Sequence, residues 1–108
     1  MTATMRETFL VFAFQDGTAA RRACEQIAKW VEAFHIPHGQ LAARHDTEDN
    51  RVYVRLKFEA HEANAYRRWL ERIPREPLFA QAEGKAFMEG AEGCAAIRER
   101  YQRLREAD

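Results

Sequence analysis

A chain of 108 residues, 46% hydrophobic and 31% charged, is one domain (1–108) able to fold around its own core without a metal or a disulfide. Its 17 Lys and Arg are matched by 17 Asp and Glu, which excludes a global pull toward nucleic acid or an anionic membrane. Cys24 and Cys94 fit no CxxC or Cys/His spacing, so a metal knuckle is excluded and two buried, reduced thiols are expected. The amino end has no basic stretch followed by an apolar run and a cleavage site, and no run reaches the length of a membrane span. A cytoplasmic protein is expected.

Residues 8–14 are apolar on both faces, as in a central strand covered from two sides. Asp16, Gly17 and Thr18 supply a turn and a candidate helix cap. The helix that follows carries a stripe of Ala20, Ala23, Cys24, Ile27, Val31 and Phe34, and should stop before Pro37. Residues 39–46 form a weaker strand, and 47–50 are polar and read as a hairpin turn. Residues 51–58 alternate without a fault: Val52, Val54, Leu56 and Phe58 on one face, Tyr53, Arg55 and Lys57 on the other. They should pair antiparallel with the strand before them.

A second helix spans 59–73, with Ala63, Tyr66, Leu70 and Ile73 inward, Trp69 on the flank, and Pro74 as its stop. Residues 77–83 suit a short helix, since proline is acceptable in a first turn. For 84–90 a short fourth strand and a continued helix remain open alternatives. A last helix from Ala91 presents Cys94, Ile97, Tyr101 and Leu104 on one side and Arg and Glu elsewhere. The order β-α-β-β-α, a possible fourth strand and an extra C-terminal helix is simplest as an α+β, ferredoxin-like split βαβ.

Two helices cover one side of such a sheet, yet the first strand is apolar on both. The second side can be closed by a homodimer joined through the sheets, by the C-terminal helix folding back, or by a ligand or partner. The dimer places an interface on Phe9, Val11, Tyr53, Arg55 and Lys57.

No GxGxxG, Walker loop, GxSxG or nucleophile spacing occurs in the sequence, so a non-catalytic binding or accessory protein is expected, with no metal or cofactor, and with itself or another protein as partner. An alternative is a small-ligand enzyme of dimeric α/β-barrel type, with a pocket near His38 and His45 walled by Trp30 and Trp69. His35 and His61 read as surface or capping residues. A second alternative rests on Arg51, Tyr53 and Phe58, whose spacing resembles the RNP1 motif of RNA-recognition domains. That resemblance implies base stacking on Tyr53, with Arg55 and Lys57 on the backbone. Val52, Val54 and Arg55 depart from the motif where it has a glycine, a small residue and a second aromatic.

Overall fold

The two-sided run becomes an inner strand. The computed structural model describes residues 5–37, 39–89 and 92–107, and of 85–89 and 92–94 the backbone alone. β1 (Met5–Ala13) pairs antiparallel with β3 (Arg51–Glu59) on one side and with β4 (Gly84–Glu89) on the other. β2 (Leu41–Asp46) lies outside β3, so the sheet has four strands in the order β2-β3-β1-β4. β1 and β2 run the same way, and β3 between them is antiparallel to both. Residues 84–89 are thus a strand. Buried β1 has main-chain groups on both edges to satisfy, and β4 satisfies one set; periodicity within 84–90 could not report that.

α1 (Gly17–Ala33) begins where Asp16 Oδ1 accepts the Ala19 N–H at 2.8 Å. It ends before Pro37 through two reversed bonds: Ile36 N–H to the Val31 oxygen at 3.0 Å, and His35 N–H to the Glu32 oxygen at 3.3 Å. This is a Schellman ending, with His35 at φ 51 in the left-handed position that glycine usually fills. The buried stripe is Ala20, Ala23, Ile27 and Trp30, not one running on to Phe34, which is 52% exposed. The helix is rolled so that the larger indole is buried, which removes more apolar surface from water.

A 3₁₀ turn (Ala60–Glu62) leads into α2 (Ala63–Arg75), and Glu59 and Glu62 cap it reciprocally. Pro74 does not stop α2, which continues to Arg75. The proline falls in the last turn, and the Glu76 N–H folds back on the Arg72 and Ile73 oxygens at 3.2 Å. α3 (Pro77–Ala80) starts on its proline and buries Phe79 against Phe12, with ring centroids 4.7 Å apart.

The main core lies between α1, α2, α3 and the face carrying Leu10, Phe12, Val52, Val54, Leu56 and Phe58. Burial of each such side chain contributes about 1.5–3 kcal/mol. One polar pair sits within it: the hydroxyls of Thr8 and Tyr66 bond to each other, which satisfies the fully buried Thr8.

α4 (Glu92–Glu106) closes the second face. Tyr101 is buried against Phe9, Val11 and Tyr53, with Ile97 and Leu104 packed beside it. Ion pairs from two α4 arginines flank this contact. Arg98, on the Arg- and Glu-rich side of the helix, reaches the Glu7 carboxylate at 2.6 Å. Arg100 meets buried Asp46 at 2.7 Å and Glu48 at 3.0 Å. Among the described residues no helix is long and apolar enough to cross a membrane.

Candidate functional site

The residues of the expected dimer interface divide between two roles. Phe9, Val11 and Tyr53 are buried under α4, and Tyr53 keeps only 5% of its surface. Their contact is with the chain's own helix, one of the three coverings that the sequence leaves open. The cause is the apolar stripe of α4, which is tethered to the sheet and needs no second molecule to reach it. Arg55 is held by Glu7 at 2.8 Å and lies within 3.4 Å of the Gly39 oxygen. Lys57 is partly exposed beyond them. Stacking a base on Tyr53 would require lifting α4.

Of the residues of the expected pocket, Trp30, Trp69 and His45 are among the described residues. His38 and the side chain of Cys94 lie outside the described residues. Trp30 and Trp69 pack against each other tilted by 45°, with centroids 5.4 Å apart, and Phe34 stands edge-on to Trp69 at 5.7 Å. The Arg72 guanidinium lies 4.9–5.3 Å from all three ring centres, a cation–π arrangement that closes this corner. His45 is partly buried on β2 with its Nε2 shut away from water. Glu59, His61 and Glu62 could bring three ligand atoms within 4.8 Å of one another. The two carboxylates already form the capping box of the 3₁₀ turn, and His61 Nδ1 lies 3.1 Å from Glu59.

A cavity of about 410 Å³ opens elsewhere, where α1, β2 and α4 meet. Cys24, Ile27, Ala28 and Val31 line it from α1, residues 41–44 from β2, and Tyr101 and Arg105 from α4. Arg55 and Glu25 reach its rim. Ala42 and Ala43 leave this space because each offers only a methyl group beside the strand. Most of the lining is aliphatic, and Arg44, Arg55 and Arg105 place positive charge around the Tyr101 hydroxyl. Burial pushes the Tyr101 phenol above its usual range, although these three guanidinium groups act the other way. The phenol is therefore a neutral hydrogen-bonding group at physiological pH. Cys24, expected buried, lies at the cavity wall and is only partly buried.

The cavity can hold an anion with an apolar body: guanidinium groups and a phenol for the charge, aliphatic walls for the rest. Among the described lining residues there is no histidine to serve as a general base. Sequence reasoning missed Arg44, Tyr101 and Arg105 as partners because they come from distant parts of the chain. The one local signal was the pair of alanines in β2, where a strand packed on both faces usually carries larger side chains. No family model matches the chain, and no curated protein or solved structure matches it.

Proposed function

We propose that this protein is a non-catalytic binding module of the ferredoxin-like class, and that it holds an amphipathic anion in the cavity between α1, β2 and α4. The class assignment is supported by the order β2-β3-β1-β4 and by β3 lying between two strands of common direction. The binding role is carried by one observation: an apolar cavity of about 410 Å³ whose polar groups are mainly guanidinium and phenol. Its size lies in the usual range for small-ligand sites, about 300–1,000 Å³. Arg55 is partly neutralised by Glu7, and Arg44 and Arg105 line the cavity beside it.

Calorimetric titration with medium-chain and aromatic carboxylates tests this reading, with the matching alcohols and amines as controls. Carboxylates should bind saturably and more weakly as salt rises. Ala28→Trp, at an exposed position on the cavity wall, should abolish binding without lowering the melting temperature. Equal responses to carboxylates and alcohols, or no saturable binding of either, would remove the proposal.

A further inference from the structure

We infer that a second binding surface, independent of the cavity, lies where α2 meets the end of α1, and that its partner is single-stranded nucleic acid. The Arg72 guanidinium lies 4.9–5.3 Å from the ring centres of Trp30, Phe34 and Trp69. Trp30 and Phe34 come from α1 and its C-cap, and Trp69 from α2. Three rings thus fix the position of one side chain, which is nevertheless exposed. A guanidinium carries five N–H donors, and cation–π contact leaves them without an acceptor. Among the described residues Arg72 has no carboxylate and no hydrogen-bond partner.

The charge around it is not balanced locally. α2 carries Arg67, Arg68, Arg72 and Arg75 against one acid, Glu71. Arg68 and Arg75 stand four residues before Arg72 and three after it, on the same side of the helix, and both are exposed. Among the described residues neither is in an ion pair, and nor is Glu71, which offsets at most one of them. α4 differs: its Arg98, Arg100 and Arg103 each meet a carboxylate. The three α2 cations span about 10 Å of one helix edge, with the fixed guanidinium in the middle. They form a track for a chain of negative charges rather than a pocket for one anion.

Phe34 selects the partner. It is 52% exposed although Arg72 and Trp69 pack against it, so the rest of its ring is open to a flat ligand beside the cations. A nucleotide strand offers a phosphate and a base at every step, and single-strand binding combines backbone contact to cations with stacking on aromatic side chains. An acidic peptide has carboxylates for the arginines but no repeating flat group for the ring. A bilayer requires a wider apolar surface than one phenylalanine. A duplex keeps its bases inside the stack, out of reach of Phe34. The neutral total charge of the chain confines the contact to this edge and makes it strongly dependent on salt.

The test uses the intact protein and a fluorescent oligothymidylate of about twelve nucleotides, read by anisotropy from low to moderate salt. Binding should be saturable, with log K falling against log salt at a slope of about −2, the value for three phosphates of a single strand. Arg68→Gln with Arg75→Gln should bring the slope to about −0.7 with an unchanged melting temperature. Phe34→Ala should weaken binding about fivefold or more with the slope kept, which separates stacking from charge. Ala28→Trp, which fills the cavity, should change nothing. No binding at low salt would overturn the inference, as would an unchanged slope in the double variant or unchanged affinity in Phe34→Ala. Loss of binding in Ala28→Trp would move the strand to the cavity and overturn it as well. Oligoglutamate or phosphatidylserine vesicles competing as well as unlabelled oligothymidylate would make the partner an acidic protein or a membrane surface. A duplex binding equally well would remove the stacking role; either result overturns it.

Discussion

Tyr101→Ala removes the ring that seals the second face of the sheet. That ring is 3% exposed and its centroid stands 5.5 Å from that of Phe9. Truncating a large aromatic in a packed site costs about 3–5 kcal/mol, of which the ring–ring contact accounts for about 0.5–1.5 kcal/mol. A domain of this size has about 5–15 kcal/mol to lose. The apolar hold of α4 is narrow, however: among the described residues only Ile97 and Leu104, both partly buried, assist Tyr101. The expected loss is therefore undocking of α4, with Phe9, Val11 and Tyr53 uncovered and the main core intact. Urea melts followed by circular dichroism should show a smaller slope, because the variant's native state already exposes apolar surface. A hydrophobic dye should bind, and sedimentation should show self-association through the uncovered face. A stability change below about 1 kcal/mol, with unchanged slope and no dye binding, would refute the role given to Tyr101.

Tyr66→Phe leaves the buried Thr8 hydroxyl without the partner it has now, and should cost about 1–3 kcal/mol, whereas adding Thr8→Val should recover part of the loss; chemical denaturation of the double-mutant cycle measures both. Burial acts to raise the Glu7 carboxyl, but hydrogen bonds from Arg55 and Arg98 more than offset it and hold it below the usual 4.5. A depressed folded-state pKa means that this stabilisation is complete above pH 4.5 and is lost as pH falls through the lower folded value; acid titration of α4 docking by hydrogen exchange should show the loss in the parent and a flatter profile in Glu7→Gln. His35→Gly relieves a left-handed histidine at the end of α1 and should raise stability by about 0.5–1 kcal/mol in thermal melts, the strain removed less the chain entropy added.

Local chemistry was legible wherever one residue and its near neighbours decide the outcome. Asp16 reads as a cap because its carboxylate needs only an N–H three residues on, and 51–58 read as a strand because the alternation lies within it. The roll of α1 was misjudged because Cys24, Val31 and Phe34 also fit a helical stripe; the choice of Trp30 depends on Trp69, from another helix. Arg98 looked like a surface residue because its partner, Glu7, lies 91 positions away. The cavity was illegible for the same reason: α1, β2 and α4 each supply a wall, and none contains the site.

The sequence by itself determined the α+β order of elements and the demand that β1 be covered on both faces, since periodicity records which side chains must leave water. Only the tertiary structure decided what covers them. Dimer, helix and ligand all satisfy the same hydrophobic demand equally well, and the choice fell to α4 because a tethered stripe of Ile97, Tyr101 and Leu104 fits Phe9 and Tyr53 while Arg98 and Arg100 find Glu7 and Asp46. Those matches are between residues far apart along the chain, and they exist only once the sheet has brought β1 and β2 to one surface.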